Sequence, residues 1–301
     1  MNQKINIKSI EQLSMKLGVT TEILNEVSNN IDKYIYYKKI SKGRKRRTLV
    51  SPNGNLKYIL GVLHKKVLQK VDIPSAINGG RKKMSIYKNA KPHCGKRAVV
   101  TLDIKDFFPS ISCKRVRNAL TGIGFTEDVA DLLVRLTTCN GRLPLGFPTS
   151  SALANIVLIP MAIRFQKLSD QHDLKCSFWV DDITLSGSLR VSKLKNLFYK
   201  IVNQEGFKIN EEKSIKLMRN NKPQVVTKLS VNSTKPKVTK EYRKNLRSLL
   251  HHCLIQGPAS QTNDCLKKFE RSLLGKISFV KSIDEVQGIK LQKQFDEISW
   301  N

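Results

Sequence analysis

The chain has 301 residues, 40% of them hydrophobic, which suits one large globular domain or two to three subdomains and argues against a disordered tail. Lysine and arginine number 54 against 24 acids, a net charge of +30, so a polyanionic partner (RNA or DNA before an anionic membrane) is expected. The six cysteines are dispersed without a CxxC pair, the N-terminus lacks a signal peptide's apolar core, and no run approaches the ~18 apolar residues of a membrane span; this predicts a cytoplasmic protein with reduced thiols and no structural zinc.

In chain order, the first forty residues read as helices. Ser9 with Gln12 makes a capping box, and Ile10, Leu13 and Leu17 share a face until Gly18. A second helix carries Ile23, Leu24, Val27 and Ile31. The basic run KKISKGRKRR (38–47), which includes Arg44, Arg46 and Arg47, precedes a hairpin arm over Arg47 to Val50, with Pro52, Asn53 and Gly54 read as its turn. Residues 56–71 have helical spacing, 78–97 read as a basic loop, and AVVTLDI (98–104) as a buried strand. Residues 114–139 read as helix interrupted near Gly122 and Gly124. The loop NGRLPLGFPTS then opens one apolar helix, SALANIVLIPMAIRFQKL. CSFWVDDITLSG fits two short strands joined at the aspartates, 192–204 a helix, 225–232 a strand, and the chain from about 240 basic helices. The mixture gives an α+β fold.

Three features converge. Asp103 ends a buried-type strand, Asp181 and Asp182 lie at a strand-turn-strand, and a Gly/Pro loop opening a helix sits between them. A double aspartate is commonly turn chemistry. In so basic a chain, however, carboxylates on neighbouring strands suit magnesium, a hard cation that takes one or two carboxylates plus substrate phosphates. Two such ions clamp the attacking and leaving oxygens of a phosphoryl transfer. Because side chains alternate along a strand, Asp181 is read as the ligand and Asp182 as its support.

At these residues the chain resembles the reverse transcriptases, specifically the retron-type bacterial family. LDIKDFFPSI resembles the first palm motif, with Asp103 as metal ligand and Phe108 as the aromatic beneath the incoming sugar that excludes a 2′-hydroxyl. GFPTSSALAN (146–155) resembles the second motif, WVDD (179–182) the double-aspartate motif, and EGFKINEEKS (205–214) the next, which places Lys213 near the triphosphate. NAKPH (89–93) matches the NAxxH signature, VTKLSVN (226–232) the VTG segment and RTLVSP (47–52) the fingers hairpin. The chain departs from the family pattern at Leu145, Ser151, Trp179, Val180 and Lys228.

The resemblance implies a right-hand polymerase with N-terminal helices and fingers over 1–97, a palm over 98–232 with a fingers segment inserted at about 112–142, and a helical thumb over 233–301. It implies two Mg²⁺ ions, replaceable by Mn²⁺, on Asp103, Asp181 and Asp182; deoxynucleotide contacts at Phe108, Arg47, Arg81, Lys213 and Gly146; and RNA contacts at Asn89, His93, Lys228, Arg44 and Arg46. Such an enzyme primes from a 2′-hydroxyl of its own structured noncoding RNA and leaves RNA-linked single-stranded DNA, in anti-phage defence with an accessory effector protein. The rival readings are an abortive-infection or diversity-generating reverse transcriptase, against which NAKPH argues, and a non-catalytic RNA-binding protein on a decayed polymerase fold, against which the three aspartates argue.

Overall fold

A computed structural model describes residues 7–42, 45–210 and 216–300. Helix α1 (Ile10–Leu17) is capped by Ser9, whose side chain accepts from the Gln12 amide at 3.3 Å, and α2 is Thr21–Asn29. The capping box is offset, since Gln12 Oε1 accepts from the Lys8 amide at 2.7 Å rather than from Ser9. Helix then gives way earlier than the sequence pattern suggests. Ile31 falls in a 3₁₀ turn, and Ile35–Lys42 forms strand β1, where Ile35, Tyr36, Tyr37 and Ile40 are strand-formers by shape. Strand β2 (Lys45–Pro52) pairs with it antiparallel, from Ile35 opposite Pro52 to Lys42 opposite Lys45. The hairpin therefore turns before Arg46 and Arg47, and Asn53 and Gly54 instead start helix α3 (Gly54–Lys66).

The segment 78–97 contains a short helix α4 (Ile86–Ala90), followed by strand β3 (Ala98–Asp103) and helices α5 (Phe107–Ser110), α6 (Cys113–Gly122) and α7 (Glu127–Thr137). The apolar run after the Gly/Pro loop is two helices, α8 (Ser150–Val157) and α9 (Ile159–Gln171). Pro160, lacking an amide hydrogen, fits only the first turn of a helix, so the second one restarts there. Strands β4 (Lys175–Trp179) and β5 (Asp182–Gly187) precede α10 (Lys195–Gln204) and β6 (Lys216–Arg219). Strands β7 (Val225–Val226), β8 (Leu229–Ser230) and β9 (Lys237–Val238) lead to helices α11 (Lys240–Gln256), α12 (Leu266–Ile283) and α13 (Glu285–Asp296).

The sheets are the β1-β2 hairpin, a four-stranded sheet in the order β4-β5-β3-β6, and an antiparallel β7-β8-β9 meander. The chain divides into two compact units. The first takes in residues 1–85, 100–185 and 190–216, and the second 86–99, 186–189 and 217–301. In the first unit Leu13, Leu17, Leu24, Leu60, Leu120 and Leu133 bury the apolar stripes of α1–α3, α6 and α7. Phe165 packs edge-on against Phe178 at 5.7 Å and tilted against Phe198 at 6.0 Å, which seats β4 on α9 and α10. The second unit has its own core, from Val226, Leu229 and Val238 to Leu250, Ile277 and Phe295. Among the described residues no helix is long and apolar enough to cross a membrane.

Candidate active site

Strand β3 is buried at Val99, Val100 and Leu102, and emerges at Asp103, which is half-buried. Asn210 donates through its side chain to Asp103 Oδ2 at 2.9 Å and through its amide to the Asp103 carbonyl at 2.8 Å. The chain then turns sharply at Asp106, whose φ of 45° is left-handed, and enters α5. This turn splits the two phenylalanines. Phe107 is 4% exposed and packs against Phe207 at 5.9 Å, while Phe108 is half-buried and meets Phe107 edge-on at 5.4 Å. Phe107 is the core residue of the two.

The double aspartate lies where β4 turns into β5. Val180 and Asp181 form the turn, and Asp182 begins β5; both aspartates are half-buried. Val180 has φ 60°, a conformation that crowds Cβ against the backbone and is rare for a β-branched residue. The hairpin tip is gripped from both sides. Ile104 donates its amide to the Asp181 carbonyl at 3.0 Å, which sets Asp181 beside the residue following Asp103. On the other side Asn78 and Gly79 both donate to the Phe178 carbonyl, at 2.8 and 3.2 Å, and Phe178 donates to Ala76 at 2.7 Å.

The Gly/Pro loop meets β2. Val50 donates to the Leu145 carbonyl at 2.8 Å, and Gly146, at φ 124°, lies so near that a Cβ there would stand 2.6 Å from the Val50 carbonyl oxygen. Glycine at 146 is thus required by close approach. Arg46 and Arg47 are exposed on β2, opposite Ser41 and Ile40. Arg81 is half-buried, and its Nη1 donates to the carbonyls of Ile77 at 2.8 Å and Pro74 at 3.3 Å, bracing its own loop. Arg44 and Lys213 lie outside the described residues.

The remaining sequence candidates sit in the second unit. Asn89 and His93 are 1% and 0% exposed, too buried to offer RNA a direct contact, and they shape the loop from inside. His93 Nδ1 lies 2.7 Å from Ser186 Oγ. Burial, with a smaller contribution from the charge of Lys96, lowers His93 to about 3, so the ring is neutral at physiological pH. Residues 225–232 form a hairpin rather than one strand, because Thr227 (φ 44°) and Lys228 (φ 68°) are both left-handed between β7 and β8. Two such residues make a type I′ turn, whose second position favours glycine. The Lys228 side chain is exposed at its tip.

The reverse transcriptase (RNA-dependent DNA polymerase) family profile matches residues 37–246. The chain is 30% identical to the Retron Se72 reverse transcriptase of Salmonella heidelberg (strain 579083-10), over 97% of this chain and 80% of that protein. It is 26% identical to the Retron Ec86 reverse transcriptase of Escherichia coli, over 92% of this chain and 85% of that protein, and 28% identical to the Retron Mx65 reverse transcriptase of Myxococcus xanthus, over 94% and 70%. The chain belongs to the retron-type reverse transcriptases. It is an RNA-directed DNA polymerase.

Reverse transcriptases generally use divalent metals, and the candidate carboxylates of this one are of a kind that fits such an ion. Among the described residues no three His, Cys, Asp or Glu side chains are drawn together as a ready-made metal cage. Magnesium needs none, since one or two carboxylates suffice when substrate phosphates and water complete the shell. Asp103 and Asp181 supply only hard oxygen donors, and Asn210 orients one of them.

Two further features of the reverse transcriptase lie outside the roles expected from the sequence. One is Asn210, within EGFKINEEKS. The other is an open cleft of about 650 Å³ in the second unit, lined by Lys240, Arg243, Lys244, Arg247 and His251 of α11 together with Gln287 and Gln294 of α13. The helical spacing of those basic residues in KEYRKNLRSLLHH was the available signal.

Proposed function

We propose that this reverse transcriptase copies part of a cognate structured noncoding RNA into single-stranded DNA that stays linked to the RNA, in anti-phage defence with an accessory effector protein. The observation that carries its catalytic part is the 3.0 Å hydrogen bond from Ile104 to Asp181, which joins the end of β3 to the double-aspartate turn and so sets two carboxylate-bearing segments side by side; the RNA substrate and the defence role rest on the likeness to retron enzymes. Asp103 and Asp181 would hold two Mg²⁺ ions, with Mn²⁺ as a substitute and Asp182 in support. Bound there, the ions would activate the primer hydroxyl and neutralise the triphosphate and the leaving pyrophosphate. Asn210 fixes the rotamer of Asp103. Phe108 forms the floor under the sugar and excludes a 2′-hydroxyl. Gly146, Arg47, Arg81 and Lys213 serve the deoxynucleotide, Gly146 by leaving room beside β2 and Arg81 by bracing the loop of residues 74–81.

Arg44, Arg46 and Lys228 serve the RNA, and Asn89 and His93 shape their own loop from inside; the basic cleft on α11 suits RNA phosphates as well, and Arg243 Nε there is buried with no hydrogen-bond partner among the described residues, as fits an anion site. Fingers over 1–97, palm over 98–232 and thumb over 233–301 belong to this proposal. So does a cytoplasmic location, which six free cysteines favour.

The test supplies the protein with its neighbouring noncoding RNA, Mg²⁺ and labelled deoxynucleotides. RNA-linked DNA is the expected product, and its absence would sink the retron substrate. Asp181→Asn should abolish extension while RNA binding stays near wild type; a variant that still extends removes the metal assignment.

A further inference from the structure

The double-aspartate turn is held by a segment far from it in sequence. Gly79 lies flat against the Trp179–Val180 peptide: a Cβ at 79 would stand 2.3 Å from the Val180 amide nitrogen and 2.9 Å from both the Trp179 carbonyl carbon and Val180 Cγ2. No side chain fits there, so the glycine is required by space. The next residue, Gly80, is constrained twice over. Its φ is 70°, and a Cβ would stand 2.9 Å from Ser151 Cβ.

What seats this Gly-Gly pair is one face of α8. Ser151 and Asn155 are four residues apart and so lie one above the other on that helix. Ser151 backs Gly80, and Asn155, only 4% exposed, donates its side-chain amide to the Gly79 carbonyl at 2.8 Å. Gly79 and Asn78 in turn donate to Phe178, two residues before the strained Val180. A continuous set of contacts thus runs from the Asn155 amide through Gly79 to the peptide that precedes Asp181.

We propose that Asn155 is a positioning residue for Asp181, acting through Gly79. The inference rests on the reading of Asp181 as a metal ligand. Its physical content is that a valine at φ 60° favours relaxing the turn. The Gly79 backbone blocks that relaxation only while its carbonyl is tied to α8. Losing the Asn155 donor leaves a buried carbonyl unpaired, loosens the Gly79 seat and lets the Asp181 carboxylate drift from its ligating position. The same geometry makes room for Val180: the turn accepts its side chain because residue 79 has none to collide with it.

The experiment uses the full-length protein with Asn155→Ala and Asn155→Leu, the second close to asparagine in size and without a donor. In the metal-free protein, amide exchange over residues 178–182 should accelerate in both. With template RNA and deoxynucleotides, the Mg²⁺ concentration giving half-maximal extension should rise by about tenfold, as for residues that orient a ligand from behind, while RNA affinity holds. A purely structural role would lower activity and melting temperature without moving the Mg²⁺ requirement, and an unchanged requirement in a folded variant overturns the proposal. Should neither variant fold, Gly79→Ala tests the same link from the other side, with the same shift expected and an unshifted requirement again decisive. Asp181→Asn separates the two readings. An inactive Asp181→Asn beside an unaffected Asn155→Ala refutes only the positioning role, whereas an active Asp181→Asn refutes the ligand assignment beneath it.

Discussion

His93 has the signature position of the retron enzymes yet sits where no charge is tolerated. Its folded pKa is lowered to about 3 by burial, against an ordinary value near 6.5 in the unfolded chain. Between those limits the unfolded chain binds the extra proton, so stability is full above about pH 6.5 and falls as pH drops toward 3. From pH 7 to pH 5 this one residue should cost about 2 kcal/mol, seen as a lower urea midpoint, and a His93→Gln variant should lack that part of the slope. An equal slope in the variant would place the proton elsewhere. Residues of this kind divide by how far their role can be read from sequence. Asp103 and Asp181 stand out because acids are scarce in this chain, 24 against 54 basic residues, and these two sit beside apolar runs. Gly79, Asn155 and Asn210 do not, because a small residue and two amides have many ordinary uses. Only the lack of room for a Cβ at Gly79 and the hydrogen bonds of the two asparagines distinguish them.

Among elements, the β7-β8 hairpin shows a local rule being broken. A type I′ turn asks for Asn-Gly, and here Thr227 and Lys228 take the left-handed conformation instead. A non-glycine residue there costs about 1–2 kcal/mol, and glycine's extra unfolded freedom gives back about half of any gain. Lys228→Gly should therefore raise stability by about 0.5–1 kcal/mol in denaturant melts while weakening RNA binding. Tighter or unchanged RNA binding would remove Lys228 from the RNA surface. The broken rule also hid the hairpin, since VTKLSVN carries no turn residue at its centre. Similarly, the continuous apolar pattern of 151–168 concealed the break at Leu158, and hydrophobic Ile35 to Tyr37 passed for the end of a helix. Where the local chemistry agreed with the outcome, as at Ser9, Gly18 and the β3 run AVVTLD, the element was legible within a residue or two.

For the molecule as a whole, charge sets the conditions under which it meets nucleic acid. With 54 basic residues and a lined cleft on α11, an RNA complex neutralising roughly six to ten phosphates should lose about 10³–10⁵ in affinity between 50 and 200 mM salt. Binding curves across that range, with the log–log slope read as released counterions, provide the check. A shallow slope would mean that RNA is held by shape and base contacts.

The sheet order has a further consequence, in the time domain of protein synthesis. Strand β3 lies between β5 and β6, so its first partner leaves the ribosome about eighty residues after it does. At about 5–20 residues per second, an apolar strand ending in the Asp103 carboxylate waits some 4–16 s with unpaired edges. For that interval the nascent reverse transcriptase holds one half of its candidate catalytic pair and none of the other, and it is then most exposed to aggregation and to chaperone capture.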